Sequence, residues 1–325
     1  MSDSTAGLRR KIGSAVELQS VARTMKVVAA ANIGQYERSV RALGDYYRAV
    51  ELGLGVCFRD RASAIAGAVG EERSEEGPPG AVVFGSDQGL VGRFNDQVAD
   101  FAAKTLAGLA GKPLVWAVGE RVHARLVDAG LQPVGLYAVP DSINSVVTLV
   151  GQILVQSEAP RRTEKVRELH LFYNRPASGA TYAPVTQRLL PLDDAWRRQM
   201  AALAWPTKNL PEVLDPGAAT LRALIREYLF VSLFRACAES LASENASRLA
   251  AMQRADKNID DLLVDLNGTF HRLRQGGIDE ELFDVISGFE ALSKGMAHRA
   301  SGPGIDGVND NRRGALDTHA HTPST

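Results

Sequence analysis

Cysteine is scarce in this chain of 325 residues, which contains only Cys57 and Cys237. The two lie far apart in segments without turn signals, which argues against a disulfide framework and favours free thiols in a reducing compartment. Long apolar runs are missing as well: no stretch approaches the roughly eighteen uncharged apolar residues of a membrane-spanning helix, and the N-terminus lacks the apolar core of a signal peptide. We therefore expect a cytosolic protein that meets a membrane only through its partners.

Sequence motifs typical of catalytic, nucleotide-binding or metal-binding sites are also scarce. The one Gly-rich strand-to-helix turn, FGSDQGLVGRFND at residues 84–96, has neither the Lys-Ser/Thr of a P-loop nor GxGxxG spacing, so nucleotide binding is the less favoured interpretation. Its glycines instead indicate a tight turn with positive φ angles, in which Asp87 and Asn95 cap backbone groups. Only His319 and His321 lie at a ligand spacing, and an H-x-H in a polar tail binds metal weakly. We expect no catalytic residue, no cofactor and no metal ion.

The formal net charge is −1, which gives no reason to expect nucleic acid as a partner. Charge is nevertheless uneven along the chain. The first fifty residues contain eight Lys or Arg and only four Asp or Glu. This predicts a basic N-terminal segment that suits an acidic neighbour.

Proline is missing from residues 1–77 and again from residues 217–302. In the first stretch, apolar residues recur at alternating steps of three and four, which predicts one long amphipathic helix. Its stripe comprises Leu8, Ile12, Ala15, Ala22, Met25, Ala29, Ile33, Tyr36, Val40, Leu43, Tyr47, Val50 and Leu54.

The second proline-free stretch keeps a seven-residue spacing, which predicts a coiled-coil seam rather than the buried helix of a globular bundle. One row of the seam is Val231, Ala238, Asn245, Met252, Ile259, Leu266 and Leu273. The companion row is Tyr228, Arg235, Ala242, Leu249, Asp256, Leu263 and Phe270. We expect the polar members Arg235, Asn245 and Asp256 to fix the register of the two helices at some cost in stability.

Between the two helical stretches, short apolar runs alternate with helical patterns, which indicates an α/β domain with a largely parallel sheet. The predicted strands are residues 81–87, 113–119, 131–140, 166–175 and 181–192, and the predicted helices are residues 95–110 and 142–159. Such an insert is built most simply if the flanking helices return alongside each other. The predicted fold is therefore a long antiparallel coiled coil of N- and C-terminal helices with an inserted Rossmann-like α/β domain.

Three separated segments resemble the γ subunit of F-type rotary ATP synthases. LRRKIGSAVELQSVARTMKVVAAANI at residues 8–33 looks like the N-terminal helix of that family, and GSDQGLVGRFN at residues 85–95 resembles its SDRGLCGGLN turn. Residues 242–292, beginning ASENASRLAAM, follow the C-terminal signature ASE-x-AAR-x-x-AM, and the strand pair at residues 173–192 also fits. The resemblance spans nearly the whole chain.

The resemblance implies a non-catalytic rotor, the central stalk of a proton- or sodium-transporting ATPase. Such a subunit couples ion-driven rotation to ATP synthesis or hydrolysis at a hexamer of α and β subunits. The implied further partners are the ε subunit and the ring of c subunits. The implied location is peripheral, on the cytoplasmic side of the cell inner membrane.

The resemblance also implies partner contacts at individual positions. Met25 and Lys26 match positions near an acidic loop of the β subunits, and Arg248 and Gln275 match positions that hydrogen-bond β. The apolar positions of the upper shaft, near a hydrophobic bearing, are Ile286, Phe289 and Leu292.

The chain departs from the family pattern at several places. In the turn, Gln88 replaces the usual Arg, and Val91 and Arg93 replace the usual Cys and Gly. Asp279 replaces the usual Thr, which removes one expected hydrogen bond to β. These departures suggest a divergent branch, such as an alternate second-copy F-type ATPase.

The predicted organisation has four segments. They are an N-terminal coiled-coil helix at residues 1–70, an α/β domain at residues 80–205, a C-terminal coiled-coil helix at residues 210–292 and a disordered tail at residues 293–325. An alternative from another class is a coiled-coil scaffold or adaptor whose α/β domain binds a ligand. Tight nucleotide binding by the α/β domain alone would favour that alternative.

Overall fold

The computed structural model describes residues 4–60, 77–158, 166–177, 180–209, 211, 213 and 218–300. Within them the chain forms six helices and five strands. In chain order these are α1 (Thr5–Asp60), β1 (Pro79–Phe84), α2 (Phe94–Leu106), β2 (Leu114–Val118), α3 (Glu120–Asp128), β3 (Pro133–Tyr137), α4 (Ile143–Glu158), β4 (Glu168–Ala177), β5 (Ala180–Leu190), α5 (Asp194–Ala201) and α6 (Ala218–Ala300). The protein is thus helix-rich with a central sheet.

The sheet has the strand order β3-β2-β1-β4-β5. The first four strands are parallel, and β5 pairs antiparallel with β4 at the edge. The predicted alternation of helix and strand and the largely parallel sheet are therefore confirmed. A parallel pair needs a crossover connection, and α2, α3 and α4 lie in the connections that join β1 to β4.

Two helices of this region were not predicted. Helix α3 has nine residues, ERVHARLVD, and buries only Val122 and Leu126, so its pattern is too short to establish a helical period. Helix α5 begins after Asp193, whose side chain accepts a hydrogen bond from the Trp196 amide at 2.8 Å. That N-cap satisfies an amide that the first turn of a helix leaves free.

The two faces of the sheet bury different side chains, because successive residues of a strand point to opposite faces. On one face Ala81 and Val83 pack with the buried residues of α2 and α3. On the other, Val82 and Phe84 pack with α4 and with the buried side chains of α1 and α6. The second core joins the sheet to both terminal helices.

The predicted apolar stripe of α1 is its buried face. Its best-covered members are 5% exposed or less, namely Leu8, Ala15, Ala22, Ala29, Tyr36, Val50 and Leu54. In α6 the predicted seam residues Val231, Ala238, Asn245 and Met252 are likewise buried. The helical period therefore identifies the covered side of α1, and that of α6 as far as Met252. Further along the predicted seam, Ile259 and Leu266 are only half-buried and Leu273 is 42% exposed.

Polar contacts between the helices show that α1 and α6 run antiparallel. Tyr46 bonds Glu227 at 2.8 Å, Asn32 bonds Asn245 at 3.4 Å and Arg23 bonds Asp256 at 3.0 Å. As the position in α1 falls, the position of its partner in α6 rises.

The chain divides into two compact units, residues 12–264 and residues 1–11 together with 265–325. The tertiary contacts described so far lie within residues 12–264. In the other unit, the Arg9 guanidinium lies 5.7 Å from the centre of the Phe270 ring.

The predicted segment ends differ from those of the helices. Helix α1 ends at Asp60, and residues 61–70 lie outside the described residues. Helix α6 begins at Ala218 and runs to Ala300, past the predicted boundary at 292. The remainder of the predicted tail, residues 301–325, lies outside the described residues. No helix of the described residues is both long enough and apolar enough to cross a membrane.

Candidate functional site

Asp256 of α6 carries a charged link to α1. Its carboxylate accepts hydrogen bonds from Arg23 Nε at 3.0 Å and Lys26 Nζ at 2.8 Å. The bond from Lys26, followed by the bond from Arg23, holds the pKa of Asp256 below its usual range. The polar seam position predicted at 256 is therefore a cross-helix ion pair, and part of the basic charge of α1 is used inside the chain.

Asn245 is the second polar seam residue. Its Nδ2 donates to the Leu241 carbonyl at 2.8 Å, while its Oδ1 accepts from Asn32 Nδ2 and Arg248 Nη1, each at 3.4 Å. Leu241 and Arg248 lie in α6 with Asn245, so a shift of register would remove only the bond from Asn32 of α1. Asn245 can therefore contribute to the register of α1 against α6 through this one cross-helix bond.

The third polar seam residue, Arg235, belongs to a network around a buried carboxylate. Sequence reasoning missed this network. Glu239 is 5% exposed and accepts from Arg235 Nε and from Arg175 Nε of β4, both at 2.8 Å. Arg175 also bonds the Tyr173 hydroxyl. The network joins β4 to α6 through a carboxylate with both oxygens satisfied. Arg175 and Glu239 are 64 positions apart, and no local pattern marks them as a pair.

Helix α5 contributes aromatic contacts to both terminal helices. The Trp196 ring lies 5.0 Å from the ring of Tyr228 in α6 and 5.6 Å from that of Phe58 in α1. Trp196 Nε1 also donates to the Tyr228 hydroxyl at 3.1 Å. This short helix therefore packs on both terminal helices.

The Gly-rich turn after β1 is held by the two predicted capping residues. Asp87 accepts from the backbone amides of Glu120 and Val139 at 2.9 and 2.8 Å. Asn95 accepts from the Ser86 amide at 3.0 Å and donates to the Ser86 hydroxyl at 2.8 Å. The tight-turn interpretation is confirmed, since these polar groups bind the chain itself.

The glycines of the turn serve different purposes. Gly92 has a φ of 58°, as predicted, whereas Gly85 does not have a positive φ. A Cβ at Gly85 would lie 2.2 Å from Cβ of Val122, so this position needs a glycine for space. Close to Gly92, the Ser247 hydroxyl of α6 donates to the Val91 carbonyl at 2.5 Å, which seats the turn on the long helix.

The partner-contact residues predicted from the sequence lie in two kinds of environment. Met25 is half-buried, and Lys26 has 30% of its side chain exposed while it bonds Asp256. Arg248 is 13% exposed at its side chain, where Nη2 donates to Glu244 at 2.5 Å. Gln275 is fully on the surface. Arg248 is thus largely occupied within the chain, whereas Gln275 is free to meet a partner.

The last part of α6 carries an exposed apolar face. Ile278, Leu282, Val285, Phe289 and Leu292 recur at steps of four and three, which places them on one side of the helix. With the adjacent Ile286, these side chains are between 47% and 74% exposed. A contiguous apolar face of this kind marks an interaction surface. It contains the predicted contacts Ile286, Phe289 and Leu292.

Within the described part of the chain, no group of three or more His, Cys, Asp or Glu could hold a metal ion. Neither cysteine forms a disulfide, both are buried, and burial raises the pKa of the Cys237 thiol. A buried thiol that stays protonated is a poor nucleophile. The functional features that remain are contact surfaces and the links that connect the helices to the sheet.

Comparison with known proteins now bears on the identity of these surfaces. A family model described as ATP synthase matches residues 4–292. The chain belongs to the ATP synthase family. The match runs across both terminal helices and the domain between them.

The relatives within this family share one name. An ATP synthase gamma chain of Sorangium cellulosum is 28% identical over 324 residues, covering 90% of this chain and 99% of the relative. An ATP synthase gamma chain of a Parafrankia species is 28% identical over 294 residues, covering 88% and 97%. The chain is therefore a central-stalk subunit and not the catalytic one.

Solved structures share the fold. The rotor of the Euglena gracilis mitochondrial ATP synthase matches with a TM-score of 0.58 and 15% identity, over 84% of this chain and 98% of that one. A second Euglena structure, described as OSCP/F1/c-ring, gives a TM-score of 0.59 over 94% and 98% at 15% identity. At this identity the likeness concerns the fold alone.

Proposed function

We propose that α1 and α6 form an antiparallel coiled-coil shaft that turns inside an F1 hexamer of α and β subunits. Rotation of this asymmetric shaft couples ion movement to ATP synthesis or hydrolysis on the hexamer, because each angle presents different contacts to the surrounding sites. The observation that carries the proposal is the exposed apolar face of α6 from Ile278 to Leu292. Among the residues that the structure describes, none covers this face.

The finer architecture belongs to the same proposal. The two helices supercoil left-handedly, since the seven-residue period of the seam is shorter than two turns of a straight helix. The inserted sheet is a Rossmann-like α/β domain at residues 80–205. It lies between coiled-coil segments at residues 1–70 and 210–292. Of the predicted tail at residues 293–325, residues 293–300 are helical because α6 runs to Ala300, and we propose disorder only for residues 301–325.

The proposed contact residues form two groups. We call the polar contacts with β the lower group and the contacts of the apolar face of α6 the upper group. In the lower group, Met25 and Lys26 meet an acidic loop of β, and Arg248 and Gln275 hydrogen-bond β. Lys26 must share its charge with Asp256, and Arg248 must do so with Glu244. In the upper group, Ile286, Phe289 and Leu292 run against an apolar sleeve of the hexamer.

The α/β domain meets the ε subunit and the ring of c subunits, which places the protein on the cytoplasmic side of the cell inner membrane as a peripheral subunit. Support for the ring contact comes from the fold-related Tetrahymena thermophila structure, described as central stalk/c-ring. It matches with a TM-score of 0.50 and 20% identity, over 72% of this chain and 99% of that one.

The test is to coexpress the full chain with the α and β subunits of its own complex. We expect copurification of one copy of the chain per hexamer, read by native mass spectrometry. A stable homodimer of the chain that leaves α and β behind would contradict the proposal.

A matched pair of variants then tests the apolar face. Joint replacement Ile286→Ala, Phe289→Ala and Leu292→Ala should lower ion pumping per ATP hydrolysed in the assembled ATPase. The control is Ser287→Ala, since Ser287 is exposed on the same turn of α6 but on its other side. Equal coupling in both variants would show that the apolar face is not a bearing contact.

A further inference from the structure

A cavity of about 250 Å³ lies within residues 12–264, where four segments meet. The turn after β1 contributes Asp87, the loop after β3 contributes Val139 and Asp141, and α6 contributes Leu241, Glu244 and Arg248. The fourth wall is α1. The polar seam borders this space, since Asn32 and Asn245 also line it, whereas the apolar face of α6 does not.

Glu244 lines this cavity and has one buried carboxylate oxygen without a hydrogen-bond partner among the described residues. The residue is 5% exposed, and one carboxylate oxygen accepts from Arg248 Nη2 at 2.5 Å. The other oxygen, Oε2, has no hydrogen-bond partner within the described structure. Burial raises the pKa of this carboxyl, because low-dielectric surroundings disfavour its charged form. An occupant that donates a hydrogen bond to Oε2 would relieve a buried, unsatisfied acceptor.

The charges around the cavity select the sign of the occupant. Asp87, Asp141 and Glu244 line it, against the single guanidinium of Arg248. This balance opposes phosphate and other anions, and it favours a cation. A cation is also the group that a buried carboxylate pairs with best.

The same residues argue against a metal ion. Both oxygens of Asp87 accept backbone amides, and Asp141 accepts from the Ser145 hydroxyl at 2.7 Å. No cluster of three metal-ligating side chains occurs in the described ranges. One free carboxylate oxygen suits a directional N–H donor, whereas a hard cation needs several oxygen ligands.

The walls are not entirely polar. Val139, Pro140 and Leu241 also line the cavity and offer apolar surface beside the carboxylates. A group with an alkyl stem and a charged nitrogen head matches this combination, as Lys and Arg side chains do.

We propose that this cavity receives an alkylammonium or alkylguanidinium group, whose N–H donates to Glu244 Oε2 while its stem lies against Leu241 and Val139. The group comes either from a free amine or from a Lys or Arg side chain of a neighbouring subunit. The proposal goes beyond the rotor role, because binding of a free amine requires no other subunit.

The first arm of the test uses the purified full chain and two probes, n-butylammonium and n-butylguanidinium chloride, in calorimetric titrations. We expect binding at one site, with tetramethylammonium, which has no N–H, failing to bind. Glu244→Gln keeps an oxygen for Arg248 and replaces the free acceptor, so it should weaken binding by about tenfold or more. Glu280→Gln, at an exposed position of the same helix, should leave binding unchanged.

Asp141→Asn provides a second variant at the exposed side of the cavity, and it keeps the test decisive if Glu244→Gln does not fold. It removes one negative charge and retains an acceptor for Ser145. We expect it to weaken binding of both probes, by less than Glu244→Gln does. Circular dichroism spectra identical to those of the unmodified chain establish that each variant is folded.

The second arm is a density map of the assembled ATPase at side-chain resolution. A Lys or Arg nitrogen of a neighbouring subunit about 3 Å from Glu244 Oε2 identifies a partner as the source. Probe binding to the free chain that is lost in the variants, with no such side chain in the complex, identifies a free amine. The proposal is overturned if neither probe binds, or binds equally to Glu244→Gln, and the cavity of the complex contains no basic side chain.

Discussion

The long helix α6 contains two regions with the same apolar spacing and opposite surroundings. Around residues 228–252 the seam side chains are mostly buried, and those of Val231 and Ala238 are fully so. From residue 271 to 293 every side chain is exposed, including Phe289 at 74%. The first region is already a core in the isolated chain, whereas the second is a surface that no described residue covers. An apolar helical period therefore indicates that a face will be buried, without indicating by which chain.

The acidic residues of α6 show the same difference. Glu239 and Glu244 are 5% exposed, and their partners are arginines packed beside them. Asp256 pairs with Arg23 and Lys26, whose side chains are 57% and 30% exposed. Arg248 is 13% exposed, whereas Arg175 and Arg235 are each 43% exposed. Burial of the two carboxylates makes a lost partner costly, while solvent screens the exposed pair of Arg23 with Asp256.

The largest expected effect on stability comes from removing a large side chain in the buried region of α6. Leu233 is 0% exposed, so Leu233→Ala should lower the free energy of unfolding by about 2–5 kcal/mol through lost burial and a residual cavity. Urea denaturation of the isolated chain measures this loss. The matched control is Phe289→Ala, which should change stability by no more than about 0.5 kcal/mol. Equal losses in the two variants would show that the end of α6 is covered within the chain.

A smaller effect is expected at the link between sheet and helix. Glu239→Gln leaves one oxygen to serve Arg175 and Arg235, so it should cost about 1–3 kcal/mol of stability. Glu227→Gln is the control, because Glu227 makes an exposed bond to Tyr46 and should cost only a few tenths of a kcal/mol. Thermal unfolding at neutral pH compares the two. A Glu239→Gln variant as stable as Glu227→Gln would contradict a structural role for the network.

The buried acid Glu244 should give a pH dependence of one sign. Its pKa is raised in the folded chain, so the folded state holds the proton more tightly than the unfolded state. The contribution of Glu244 to the free energy of unfolding is fully present below the ordinary Glu pKa of about 4.3. This contribution is lost as pH rises through the raised pKa of the folded state. Glu244→Gln lacks this loss, so its stability relative to the unmodified chain should increase across that window. Urea midpoints measured from pH 4 upward, about the ordinary Glu value, test the sign.

The smallest effect, of opposite sign, is expected at Asp256. Its pKa is lowered by Lys26 and Arg23, so its contribution is present above the ordinary Asp value of about 3.9 and is lost as pH falls through the lowered pKa. Asp256→Asn should therefore be less stable than the unmodified chain at neutral pH and equal to it in acid. High salt should also reduce the difference, because the pair is partly exposed. A difference that persists in acid would indicate that packing, and not charge, is lost.

Much of the fold could be predicted from local patterns. The stripe from Leu8 to Leu54 and the seven-residue spacing from Val231 identified the covered faces of α1 and α6, because helical period alone places such residues on one side. Helices α3 and α5 were missed, since nine and eight residues are too few to establish a helical period. Their formation depends on packing against the sheet and the terminal helices.

The candidate site was less predictable. The sequence marked Asp256 and Asn245 as polar seam residues, but not Arg23, Lys26 or Asn32 as their partners. The sequence predicted a positive φ angle at Gly92, which the structure has. It did not predict that Gly85 must be glycine because Val122 leaves no room for a side chain there. Contacts of this kind join residues far apart in the chain, and no periodic signal relates them.

The sequence by itself determined the helical periods, the alternation of strand and helix and the resemblance to rotary ATP synthase γ subunits, because each depends on residue order over short distances. Only the tertiary structure decided that Glu239 joins β4 to α6, that Arg248 is held by Glu244 and that Glu244 has a free oxygen beside a cavity. Burial and hydrogen-bond partners come from segments brought together by folding. The same residues would have other partners, and other pKa values, in another arrangement of the same helices and strands.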